Sequence, residues 1–136
     1  MKKTKRATRK KAEREYFVSP NRRHSLPFSD AVRVGNTFYL SGHIGLDPKT
    51  SRPPADLEQE IHFLLDGMKA TLSLVGLTMS ELVFVQVFCT DVSLFERFNA
   101  IYRTYFGEHL PARAFLGSGT LLFGARFELQ GIAVKS

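Results

Sequence analysis

Residues 81–90 constrain the fold of this chain more than any other segment. Val83, Val85, Val87 and Cys89 alternate with Phe84, Gln86 and Phe88, and both sets are largely apolar. A period of two is the mark of a strand, and a strand apolar on both sides has to be covered on both faces. The chain has 136 residues, 43% of them hydrophobic, which is material for one domain and one core. A single layer of helices can cover the valine side. The phenylalanine side then calls for another copy of the chain, because contiguous apolar area left in water is normally an interface. Patterning alone therefore predicts a homo-oligomer.

The segments around this strand supply the rest of the layer. Tyr16 to Val18 reads as a short strand stopped by Ser19-Pro20-Asn21. Phe28 to Val34 and Thr37 to Leu40 form a predicted hairpin, with Gly35-Asn36 turning at positive φ. Ser41 to Pro54 reads as a loop. Asp56 and Gln59 then form a capping box for a helix whose stripe is Leu57, Ile61, Leu64, Met68, Leu72 and Val75, with Gly76 as its stop. Ser93 and Glu96 make a second capping box, ahead of a helix with Phe95, Phe98, Tyr102 and Tyr105 on one face and Gly107 at its end. Strands near Arg113 to Leu116 and Ala125 to Val134 complete the order. Three strands, helix, strand, helix and two strands predict an α+β fold, with both helices on one face of a single sheet.

Charge divides the chain differently. Residues 1–25 hold ten Lys/Arg against two acids, a net +8, whereas residues 26–136 hold nine against eleven, a net −2. Residues 1–14 therefore read as a basic, disordered, solubilising arm and 15–136 as the domain. The arm has neither the apolar stretch of a secretory signal nor the apolar helical face of a mitochondrial presequence. Its sharper reading is a nonspecific nucleic-acid tether through phosphate contacts. Met1 to Glu15 contains no aromatic residue for base stacking. No apolar run is long enough to cross a bilayer. A single cysteine, Cys89, forms no internal disulfide and suits a reducing cytoplasm. His24, His43, His62 and His109 are too scattered to nominate a metal site.

Two charged residues near strand ends are candidates for chemistry. Arg113, after Pro111-Ala112, is either a surface cation or a planar fork for a carboxylate ligand. Glu128 alternates with Phe127 and Leu129 and shares a face with Arg126 and Gln130. That face is either solvated or, if an oligomer encloses it, a place where an acid can position water. Alternation does not decide between these readings.

From Tyr16 to Val134 the chain resembles the Rid/YjgF family of reactive-intermediate (imine) deaminases, also called the L-PSP endoribonuclease family. The resemblance is carried by Leu26-Pro27-Phe28, Val34-Gly35-Asn36, Leu40-Ser41-Gly42-His43-Ile44 and Asp47-Pro48-Lys49-Thr50. It continues through Ala70 to Leu77, Asp91, Phe98 to Tyr102, Phe106, Pro111-Ala112-Arg113, Glu128 and Ile132-Ala133-Val134. It implies a chorismate-mutase-like homotrimer with a central barrel and sites between subunits. It also implies cofactor-independent hydrolysis of enamines and imines, of the 2-aminoacrylate or 2-iminopropanoate class, to 2-oxo acids and ammonia. In that reading Arg113 holds the substrate carboxylate, Glu128 orients the attacking water, and Phe28, Gly42, Asn99 and the backbone of Phe115 line the pocket. The chain departs from the family pattern where Phe28 replaces a frequent Tyr, Phe115 a frequent Cys, His43 a common Gln and Leu122 a typical Pro. The competing readings are a nucleic-acid-associated protein or ribonuclease using the arm, and a non-catalytic ligand-binding trimer.

Overall fold

The structure, a computed structural model, describes residues 13–22 and 25–136. Most of the basic arm and His24 lie outside the described residues. Six strands form one mixed sheet: β1 (Arg14–Phe17), β2 (Ala31–Val34), β3 (Thr37–Ile44), β4 (Leu82–Cys89), β5 (Ala112–Gly117) and β6 (Phe127–Val134). Their spatial order is β1-β2-β3-β6-β4-β5, with only β4 and β5 parallel. Two helices, α1 (Leu57–Leu74) and α2 (Phe95–Tyr102), pack against one face. Ile61, Leu64, Leu65, Met68 and Leu72 from α1 and Phe98 from α2 meet Val85, Val87, Cys89, Phe127 and Leu129 in one core. The α+β arrangement is thus as the element order predicts.

Among the described residues, nothing covers the opposite face of the sheet. Phe84, Gln86 and Phe88 on β4 pair with Ile132, Gln130 and Glu128 on β6, all pointing away from the helices. Tyr39 on β3, opposite Ile132, is half exposed. Val83 departs from the expected alternation: the ladder shifts register between Leu82 and Phe84, so Leu82 enters the core and Val83 turns outward.

Several local expectations change for identifiable reasons. Only Gly35 of the hairpin turn takes a positive φ, +59°. β2 starts at Ala31 rather than Phe28, because residues 25–29 are tied as a loop. β3 runs on to Ile44 through residues expected to be loop, because the longer β6 offers it a partner beyond the end of β2. Asp56 caps α1, but through Glu58 N–H, without Gln59 completing a box. Asp91 rather than Ser93 caps the turn before α2, accepting from the Ser93 N–H and hydroxyl. Tyr105 sits past the end of α2 in a 3-10 turn.

Glu60, completely buried on α1, joins the two layers. Its carboxylate accepts from the backbone N–H of Arg126 (2.8 Å) and Phe127 (3.3 Å) and from Arg126 Nε (2.7 Å). The Arg126 guanidinium also donates to the carbonyls of Pro54 and Ala55. Arg126 therefore turns toward the helix instead of sharing the Glu128 face. Gly45 lies so close to the Glu60 carbonyl oxygen that no Cβ fits there. A second tie is His43, whose Nδ1 bonds the Ser41 carbonyl and whose Nε2 bonds the Thr71 hydroxyl of α1, both at 2.8 Å. Nδ1 meets the carbonyl as an N–H donor, and in the neutral ring Nε2 accepts from the Thr71 hydroxyl. Burial holds its pKa below the usual 6.5.

Two stability predictions follow. Glu60→Ala leaves the Arg126 side chain and two N–H groups without their carboxylate. It should lower unfolding free energy by about 3–5 kcal/mol in urea denaturation, the usual cost of breaking a buried pair. For His43, the unfolded chain binds a proton near pH 6.5 while the native chain resists it. Its contribution is complete above that pH and is lost as pH falls toward the lowered native pKa. His43→Gln should flatten this slope, seen as a smaller drop in urea midpoint between about pH 7 and pH 5.

Candidate functional site

The strand pairing puts the two charged candidates on opposite faces of the sheet. Arg113 is opposite Val85 on β5 and points to the helix side. Glu128 is opposite Phe88 on β6 and points to the open side. Within one chain they cannot hold the same small molecule.

Arg113 sits among four aromatic rings. Its guanidinium carbon lies 4.7 Å from the Tyr102 centroid, 5.4 Å from Phe115, 5.6 Å from Phe95 and 6.0 Å from Phe98. The Phe115 ring packs edge-on against Phe95 and Phe98, so its bulk goes into this box. β5 is also the sheet's edge strand, leaving the Phe115 backbone on an open border. Among the described residues, no carboxylate pairs with Arg113. The pocket of about 220 Å³ beside it is lined by Asn99, Tyr102, Arg103, Leu110, Pro111 and Arg113. Asn99 and Tyr102 are one helical turn apart on α2, and Asn99 Oδ1 and the Tyr102 hydroxyl are both buried without a hydrogen-bond partner. Burial raises the Tyr102 pKa to about 12, partly opposed by the Arg113 charge, so the hydroxyl keeps its proton. A fixed cation beside buried unpaired polar atoms has the chemistry to accept a small anion carrying further hydrogen-bonding groups. The sequence placed Tyr102 in the apolar stripe; its three-residue spacing from Asn99 was the signal for a second role.

Glu128 lies in a larger cleft of about 550 Å³, with Phe28, Gly42 and His43 among its lining residues. Among the described residues, its carboxylate makes no hydrogen bond or ion pair with another side chain. Gly42 lies against it: a Cβ there would be 3.1 Å from Oε1. Phe28 and Gly42 thus stand with Glu128, while Asn99 and Phe115 stand with Arg113. His43 is committed to Ser41 and Thr71 and has no free ring nitrogen for proton transfer. His62 is exposed on α1, bonded to the Tyr105 hydroxyl, and lines neither pocket. The described residues contain no cluster of His, Cys, Asp and Glu suited to a metal ion, and no helix long and apolar enough to cross a membrane.

The family model for Endoribonuclease L-PSP matches residues 21–135. A mouse protein named 2-iminobutanoate/2-iminopropanoate deaminase is 36% identical over 110 residues, covering 80% of this chain and 82% of its own length. The Escherichia coli protein of the same name is 34% identical over 112 residues, covering 80% and 88%. The crystal structure of the YjgF gene product from E. coli superposes with a TM-score of 0.81 at 31% identity, over 90% of this chain and 99% of that one. The family-model match over residues 21–135 and the identity to these relatives, together with the matching fold, place the chain in the Endoribonuclease L-PSP family, the Rid/YjgF proteins.

Proposed function

We propose that this chain is an imine deaminase, hydrolysing 2-imino acids and their enamine tautomers to 2-oxo acids and ammonia. The observation that carries the reading is the separation of its two halves: an unneutralised guanidinium on one face of the sheet and an unpartnered carboxylate on the other. They serve one substrate only if different copies of the chain bring them together. Two unlike surfaces meeting in this way form a heterologous interface, which gives a ring where the rotation between copies closes. We take the ring to be the family's homotrimer, whose contacts also cover Phe84, Phe88 and Tyr39. The names of the mouse and E. coli relatives support the reaction class.

The chemistry asks little of the protein beyond placement. Arg113 holds the substrate carboxylate through its fork, with Asn99 and Tyr102 completing the pocket. Glu128 from the neighbouring copy accepts a proton from water as the water oxygen bonds to the iminium carbon and the C=N π pair moves to nitrogen. The carbinolamine nitrogen then takes up that proton, and the C–N bond breaks: the hydroxyl O–H pair forms the ketone C=O, its proton returns to the Glu128 carboxylate, and ammonia leaves with the C–N pair. An enamine first takes a proton at its terminal carbon to become the iminium. Holding the carbon and the water in register supplies most of the rate, and general acid–base transfer supplies about 100- to 10,000-fold. The same reading makes the enzyme independent of any cofactor.

The two residues should separate kinetically on 2-aminoacrylate generated in situ. Arg113→Ala should raise KM and lower kcat together, because losing the anchor also loses orientation. Glu128→Gln should lower kcat by about 100- to 10,000-fold with little change in KM. A non-catalytic ligand binder instead predicts no turnover by the parent, and ligand binding that depends on Arg113 and little on Glu128. The shared site makes a stricter demand: mixing the two inactive variants in equal amounts, with reversible unfolding to exchange subunits, should restore about a quarter of the parental sites in a three-membered ring. No recovery in verified mixed trimers would place both residues' roles within one chain and refute the shared site.

A further inference from the structure

The Glu128 cleft also bears on what else the substrate carries, an inference that rests on the deaminase reading above. Six of its lining residues, Leu26, Phe28, Ile44, Leu46, Leu122 and Phe123, are apolar. Its other polar side chains are engaged elsewhere. Asp30 pairs with Arg22 and accepts from Ser19 N–H, the Ser41 hydroxyl donates to the Ser29 carbonyl, and both His43 nitrogens are bonded. Beside one carboxylate, then, the cleft offers a ligand little but hydrocarbon. In the single chain the cleft measures about 550 Å³, wider than a three-carbon imino acid needs, and in the proposed ring the neighbouring copy takes up part of it.

One wall of the cleft is braced from behind. The Arg22 guanidinium lies 5.0 Å from the Phe28 ring centroid, donates to the Phe28 carbonyl at 2.8 Å and to Asp30 Oδ1 at 3.0 Å. Asp30 Oδ2 in turn accepts the Ser19 N–H at 2.6 Å. Arg22 and Phe28 also line the shallow pocket behind residues 25–29. The ring therefore stands between its brace and the Glu128 cleft, held by a stacking contact and a forked donor that no other cation reproduces.

We propose that this site prefers imines derived from amino acids with large apolar side chains, of the leucine, methionine or phenylalanine kind, over the imine of alanine. Phe28 is the residue that determines this preference, and Arg22 is a positioning residue that acts through Phe28. The test uses the full chain and imines released in situ from alanine, leucine and phenylalanine by an L-amino acid oxidase, with 2-oxo acid formation measured above the spontaneous rate. The leucine imine should exceed the alanine imine in kcat/KM by at least about tenfold, since a single methylene in an apolar pocket is worth about 10- to 200-fold. Phe28→Ala should reduce that ratio about tenfold, mainly through KM for the larger imine. Arg22→Ala should shift the ratio in the same direction, Arg22→Lys should not restore it, and Arg22→Ala should add nothing to Phe28→Ala in the double variant. A parental ratio of one or less overturns the proposal and leaves the deaminase reading standing. Turnover of no imine overturns both. Fully additive effects of Arg22→Ala and Phe28→Ala overturn the role of Arg22.

Discussion

The buried carboxylate of Glu60 sets the relation between the helical layer and the sheet. It satisfies the first N–H groups of β6 and the Arg126 side chain at once, so α1, the start of β6 and the 54–55 loop share one anchor. Glu128 is the second residue of β6, just beyond that anchor. Its strand is therefore registered by a charge buried on a helix 68 positions earlier in sequence. His43 repeats the device one strand over, binding β3 to Thr71 beside the bulge that carries Gly42. Both sides of the Glu128 cleft are thus held by polar ties reaching through the core side of the sheet. Such ties are costly to bury, and when fully satisfied they favour one arrangement over its near neighbours.

A strand's pleat then divides the functional groups. Neighbouring positions on β6 point to opposite faces, as do Arg113 and Ala114 on β5. The helix-facing set builds the aromatic box around Arg113, and the open set presents Glu128, Gln130 and Ile132 beside Phe84, Gln86 and Phe88. The same apolar open face that calls for another copy of the chain also carries the acid that needs one. Assembly and catalysis are joined in the proposed function for that reason: an interface that covers the phenylalanines can deliver an arginine from a neighbouring copy.

Features with a short repeat were legible in the sequence. The α1 stripe, the two-faced character of β4 and the Gly76 stop all depend on spacings of two to four residues, which the sequence displays directly. Arg113 and Glu128 stood out as charges near strand ends, the resemblance added Phe28, Gly42, Asn99 and Phe115, and the structure sets Phe28 and Gly42 beside Glu128 and Asn99 and Phe115 beside Arg113. Long-range polar pairs left no such trace. Glu60 reads as one more acid in the first turns of a helix, and Arg126 as one more charge in an alternating strand, until the fold brings them together across 66 positions. The Val83 outward turn and the Ser41–Ile44 extension of β3 depend on register with β6, which lies far away in sequence. Asp91 took the cap expected of Ser93 because its carboxylate reaches both the N–H and the hydroxyl of Ser93, a choice set by local geometry that residue type alone left open.

Two arginines in the chain show how the fold distinguishes structure from function. Arg126 meets a buried carboxylate through Nε, and its Nη2 meets two carbonyls, so its charge is spent inside the chain. Arg113 meets the faces of four rings instead. Ring faces hold a guanidinium in place through their quadrupoles but leave its charge and donors unneutralised. A carboxylate partner there would hold the side chain more firmly and would also occupy the fork that a substrate must use. An aromatic cradle resolves that conflict: it fixes the direction of the guanidinium while keeping it in need of an anion. The unpaired Asn99 and Tyr102 oxygens beside it add hydrogen-bonding groups with the same unmet requirement. That unmet requirement is what the proposed function uses, since a 2-imino acid carries a carboxylate with a donor nitrogen next to it.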